Sequence, residues 1–173
     1  MKKLLLAALL AAATPALAQP APAPASPVPN TPKDWSVIAM TMDVARPADV
    51  TWERIGGNDY CAIIKFLNMN SCAYTVGSGD VGTNRVLNGT IHELLVAKTG
   101  RSYTYAQPTS PIFYHGTMAV EPVSATTSRI VYTLIYDQAP LATPEAKAAS
   151  RDRRRASFMA AIERMKAAAE AAP

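Results

Sequence analysis

Gly77, Gly79 and Gly82 carry the G-x-G-x-x-G spacing that cradles a dinucleotide pyrophosphate. That chemistry needs a helix directly downstream, whose N-terminus holds the phosphates. Here Asn88-Gly89 follows instead, and an Asn-Gly pair is a two-residue hairpin centre in which both residues take φ > 0. Strand-like runs come next, so the glycines join strand to strand and the nucleotide reading is set aside. His92-Glu93 opens like the zinc-protease motif H-E-x-x-H, but position 96 is Val96 and the run is strand-like. His92 and His115 are the only histidines. A tetrahedral metal site would need to join them to carboxylates from separate strands, and no metal is expected. No G-x-S-x-G elbow supports Ser-His-Asp chemistry. His115 is the candidate for acid–base work, because imidazole titrates near neutrality. The competing reading is a surface or hydrogen-bonded histidine.

Other side chains suit binding. Tyr103 and Tyr105 flank Thr104, so a strand puts both on one face. Arg85 and Leu87 share a face for the same reason. With Asn88-Gly89 as the turn centre, Arg85 falls opposite His92, and Glu93 lies on the other face unless a bulge shifts the register. In the run Arg151-Asp152-Arg153-Arg154-Arg155, helical spacing puts Arg151, Arg154 and Arg155 on the side of Phe158, Ile162 and Met165. The stripe is apolar in its C-terminal half and cationic in its N-terminal half.

The elements that must position these groups follow from patterning. Trp35 to Val44 alternates as a long first strand. Pro47 suits the first turn of a short helix from Ala48 to Ile55, which Gly56-Gly57 ends. Asn58 is the expected cap of a second short helix, Asp59 to Leu67. Six strands follow: Cys72–Val76, Asn84–Leu87, Ile91–Lys98, Ser102–Gln107, Phe113–Pro122 and Ser128–Tyr136. Their turn-rich separators, without intervening helices, indicate an antiparallel meander. Thr143 then caps a helix with Pro144 at its first position, running to about Glu170 over roughly 40 Å. Its face of Phe158, Ala161, Ile162 and Met165 must be buried against the one large sheet.

The ends and composition bound the compartment and the partners. Lys2 and Lys3, an apolar run from Leu4 to Ala13, and Ala16-Leu17-Ala18 read as a secretory signal over 1–18. The alternative is an uncleaved anchor. The run is shorter than the ~20 residues a bilayer takes, so no integral span is expected after cleavage. Residues 19–33 are a Pro/Ala-rich linker, either a spacer or a disordered leader. Residues 34–171 suit one domain of about 140 residues with one core. Loss of the two lysines takes the formal charge of +4 to +2, which gives no reason to expect nucleic acid. The expected location is periplasmic or secreted. There Cys61 and Cys72 read as a disulfide, against the alternative of two buried thiols.

Four features in this order resemble the START-like, helix-grip superfamily over about residues 36–170. They are Arg46-Pro47-Ala48-Asp49-Val50-Thr51-Trp52, the loop Gly77 to Gly82 leading into Thr83-Asn84-Arg85, the strand Tyr103-Thr104-Tyr105, and the terminal helix. That superfamily includes polyketide cyclase/dehydrase and lipid-transport proteins and the plant pathogenesis-related allergens. The resemblance implies an α+β helix-grip fold: a seven-stranded antiparallel sheet wrapped around the long C-terminal helix, with two short helices after strand 1, enclosing an apolar cavity. It implies that Tyr103 and Tyr105 are cavity-wall residues, against the reading that they are core tyrosines on the helix. It makes Arg85 basic and inward, as a ligand anchor or a structural ion pair. It puts the first half of the last helix at the cavity mouth, where Arg151 and Arg154 gather anionic head groups or simply extend to water. Leu87, His115 and Phe158 complete the candidate set. The expected function is binding or transport of a small hydrophobic or amphipathic, in one version anionic, molecule without a cofactor. The alternatives are a cyclase, dehydratase or hydrolase acting in the same cavity, and an interaction module with a filled interior.

Overall fold

The structure is a computed structural model, and it describes residues 33–172. The proposed signal and nearly all of the Pro/Ala segment lie outside the described residues. Strands β1 (Trp35–Val44), β2 (Cys72–Val76), β3 (Asn84–Leu87), β4 (Ile91–Thr99), β5 (Ser102–Ala106), β6 (His115–Pro122) and β7 (Ser128–Asp137) form a single sheet. Helix α1 (Ala48–Arg54) and a 3-10 turn (Ala62–Leu67) follow β1, and helix α2 (Pro144–Glu170) ends the chain. The strand order is β1-β7-β6-β5-β4-β3-β2, all antiparallel. This is a β2-to-β7 meander with β1 added on β7: the helix-grip α+β fold.

Alternation decides which face is concave. In β1, Ser36, Ile38 and Met40 are buried while Val37 and Ala39 between them are exposed. Register shifts at Tyr74/Val76 and Leu95/Ala97 mark bulges, which bend the strands that carry them. Helix α2 lies on the concave face. Its Ala161, Ile162, Met165 and Ala169 are all 0% exposed. Thr143 caps it by accepting from the Ala146 N–H at 3.2 Å. At the other end, Arg54 donates to the Ala169 carbonyl and Arg46 to that of Glu170, both at 3.0 Å, so carbonyls that lack helical partners are satisfied.

The second short helix differs from expectation. It is a 3-10 turn that begins at Ala62, with Cys61 at its N-terminus and no side-chain cap. Asn58 is committed elsewhere: its side-chain oxygen accepts from the Trp52 indole at 2.9 Å. The disulfide is formed, joining Cys61 to Cys72 with their Cα atoms 5.7 Å apart. It ties the start of the 3-10 turn to the edge strand β2. The G-x-G-x-x-G residues sit in the β2–β3 connection with φ of 72°, 112° and 94°, as loop residues joining strand to strand. None of the helices among the described residues is long and apolar enough to cross a membrane.

Candidate ligand-binding cavity

A cavity of about 250 Å³ lies between the concave face, the segment after the 3-10 turn and the N-terminal half of α2. One part of its wall is apolar: Leu67, Met69, Leu87, Ile91, Ile112 and Phe158. The other part carries polar atoms, from Glu93, Tyr105, Gln107, Tyr114, Arg154 and Ser157. Strand parity explains much of this set. Positions 103, 105 and 107 point inward from and just beyond β5, and Gly116 in β6 pairs with Tyr105. Gly116 matters sterically, because a Cβ there would overlap the end of the Tyr105 ring. That ring stays along the sheet, and its hydroxyl meets that of Tyr132 at 3.1 Å.

Four of the eight residues singled out in the sequence line the cavity: Leu87, Tyr105, Arg154 and Phe158. Arg85 stands behind the wall. It is 1% exposed, and its Nε and Nη2 donate to Glu93 Oε2 at 2.9 and 2.6 Å. Its Nη1 donates to the Tyr60 carbonyl, and the guanidinium stacks 3.6 Å from the Tyr60 ring centroid. This pairing corrects the expected register. The turn bond closes from Thr90 N–H to the Leu87 carbonyl, as Asn88-Gly89 requires, but the ladder resumes with Leu87 opposite Ile91. Thr90 is thus an extra residue, and Arg85 meets Glu93 instead of His92. Burial works against the Arg85 charge, and the adjacent Glu93 carboxylate more than compensates, holding the guanidinium charged.

Tyr103 is buried but packs away from the cavity, edge-on to Tyr60 at 5.2 Å and to Trp52 at 6.1 Å. His115 is on the opposite face of the sheet. Tyr114 and Gly116 are buried, so the residue between them must face out. There it borders a shallow recess with Trp35 and Ile135, and Nδ1 lies 2.7 Å from the Phe113 carbonyl. His115 is therefore not placed for acid–base work in the cavity: the sheet lies between it and Tyr105 or Glu93. Arg151 is held at the end of β7, donating to Gln138 Oε1 at 3.0 Å. Arg155 donates to the Ala39 carbonyl at 3.1 Å, at the β1 edge. The arginines of one helical stripe thus fan out to three surroundings.

Sequence reasoning did not single out Gln107, Tyr114, Leu67 or Met69. Gln107 shares the parity of Tyr105 and was findable. Leu67 and Met69 come from the segment clasped by the disulfide, whose path over the cavity has no local sequence signal. Glu93 is fully engaged, since its Oε1 also accepts from Gln107 at 3.0 Å. Burial pushes the hydroxyls of Tyr105 and Tyr114 well above the usual phenol range, so both stay protonated. The cavity therefore offers an apolar surface, neutral hydroxyls, a neutralised ion pair and the Arg154 guanidinium. Among the described residues, no group of three or more His, Cys, Asp or Glu is placed to hold a metal ion.

The fold has many known counterparts. The chain is similar to a protein from Nitrosospira multiformis (TM-score 0.62, 20% identity, covering 76% of this chain and 94% of the other). It is similar to norcoclaurine synthase from Thalictrum flavum, solved with dopamine and hydroxybenzaldehyde (TM-score 0.59, 17% identity, 78% and 85% covered). Ara h 8.0201 also matches, at a TM-score of 0.53 and 14% identity, over 76% of this chain and 98% of that one. No curated protein matches the sequence significantly. A family profile described as polyketide cyclase / dehydrase and lipid transport matches residues 37–170, which span nearly the whole sheet and α2, and the chain belongs to that family.

Proposed function

We propose that this protein is an exported carrier or receptor for one small amphipathic molecule, held in the cavity between β-sheet and α2. The observation that carries this reading is the division of the cavity wall into an apolar part and a polar part. Such a division orients a guest as well as enclosing it. At about 250 Å³ the space falls below the usual ~300–1,000 Å³ of ligand pockets, which favours a guest of one or two rings. The two small aromatic compounds held by norcoclaurine synthase are of that size class. Binding is favoured over turnover because Glu93, the carboxylate of the wall, has both oxygens engaged and so is not free to act as a base. The Lys2-Lys3 start, the apolar run and Ala16-Leu17-Ala18 support export with cleavage before Gln19. The Cys61–Cys72 bond suits an oxidising compartment.

Native mass spectrometry tests the whole reading. Protein expressed with its own leader in a Gram-negative host and isolated from the periplasm should begin at Gln19. It should carry a non-covalent adduct of small mass, and Phe158→Trp, which narrows the cavity, should weaken its retention. A bare polypeptide mass, together with no uptake of the neutral two-ring probe 1-methylnaphthalene, would reject the carrier assignment.

A further inference from the structure

Among the described residues, Arg154 is the one side chain of the cavity wall with a fully buried polar atom that lacks a hydrogen-bond partner. Its Nε is buried and has no hydrogen-bond partner among the described residues. Its guanidinium lies 4.5 Å from the Tyr136 ring centroid and 5.2 Å from that of Tyr114. Both contacts are attractive for a cation. They leave unused the N–H groups, which lie in the guanidinium plane and need acceptors there. The neighbouring groups do not supply one. Glu93, the carboxylate of the cavity wall, is committed to Arg85 and Gln107. Arg85 and Glu93 cancel, so the charge of Arg154 stands uncompensated. A buried donor without an acceptor is costly, and costlier when charged.

We propose that Arg154 is the specificity-determining residue of the cavity and that the guest is a small monoanion. Its acid group, a carboxylate or sulfonate, accepts hydrogen bonds from the edge of the Arg154 guanidinium. Its apolar body lies along Met69, Ile91, Ile112 and Phe158. This rests on the carrier reading and narrows it to one ligand class. Tyr114 and Tyr136 serve as the platform that keeps the guanidinium in place before the guest arrives, so little ordering remains to be done on binding.

A matched pair of fluorescent probes separates the two levels of the argument. Naphthalene-1-sulfonate and 1-methylnaphthalene share one two-ring frame, within the size class of the cavity, and differ in the sulfonate. The wild-type chain should bind the sulfonate about tenfold more tightly than the neutral probe, the scale of one charge-assisted hydrogen bond. Arg154→Gln should erase that preference while leaving the neutral probe within about twofold, and Arg154→Lys should keep part of it. Arg155→Gln, on the same helix but bonded to the Ala39 carbonyl, should change neither affinity. Circular dichroism of each variant establishes that it is folded. Equal effects of Arg154→Gln on both probes, no effect on either, or an equal loss in Arg155→Gln would overturn the anion assignment and leave the carrier reading standing. Failure of wild-type protein to bind either probe would overturn both.

Discussion

The two halves of α2 touch the same sheet and do different things. From Ala161 onward the inward face is apolar and wholly excluded from water. Before it, Arg154, Ser157 and Phe158 meet the sheet incompletely, and the cavity fills the difference. The solid half supplies the burial that holds helix to sheet, and so leaves the other half free to be imperfectly filled. Stability and binding are thereby assigned to successive turns of one helix.

Breaking the boundary between these regions should cost most. Arg85→Met would leave the Glu93 carboxylate buried beside the cavity with its main partner gone, and about 3–5 kcal/mol of stability should be lost. Urea unfolding measures it, and adding Glu93→Leu should restore most of the loss if the orphaned charge is the cause. Next comes the contrast between the halves. Ile162→Ala should cost about 2–5 kcal/mol. Phe158→Ala should cost less than half as much, because its ring already borders empty space, although it packs on Tyr132 at 4.9 Å. Equal losses would mean that the hollow half is as structural as the solid one.

Reduction of the disulfide sharpens the comparison at a smaller scale. Its short loop is worth about 2.5–3 kcal/mol in the chain-entropy treatment. The clasped segment carries Leu67 and Met69, so hydrogen exchange should accelerate over 62–71 and stay unchanged in the C-terminal half of α2. The smallest effect is expected in acid. Burial raises the Asp59 carboxyl, but hydrogen bonds from the Tyr74 hydroxyl at 2.8 Å and the Cys61 N–H at 2.9 Å outweigh it and hold it below the usual range. A carboxyl lowered by folding stabilises the chain above its unfolded pKa of about 3.9 and loses that contribution as pH falls through the folded value. Asp59→Asn should therefore flatten the pH dependence of the unfolding midpoint below about pH 4.

The strands were legible because alternation and turn chemistry are local. Where expectation slipped, a non-local choice had intervened. β6 was expected from Phe113, an aromatic that reads as a strand former, yet Phe113 takes φ 48° and the ladder starts at His115. Asn88-Gly89 was rightly read as a turn, but the extra residue Thr90 reset which faces Arg85 and Glu93 share. Tyr103 and Tyr105 have the same parity and neighbouring positions, and only one borders the cavity. Empty volume explains that last case. It is the amount by which many side chains fail to fill a space, and no single position encodes it.

Gly116 shows how remotely such a volume can be set. The Tyr105 ring lies flat because the neighbouring strand offers it a bare backbone. One added methyl at 116 would tip the phenol inward and shrink the chamber from a position no guest touches. Homologues that differ at this site would then accept guests of different girth while keeping every contact residue unchanged.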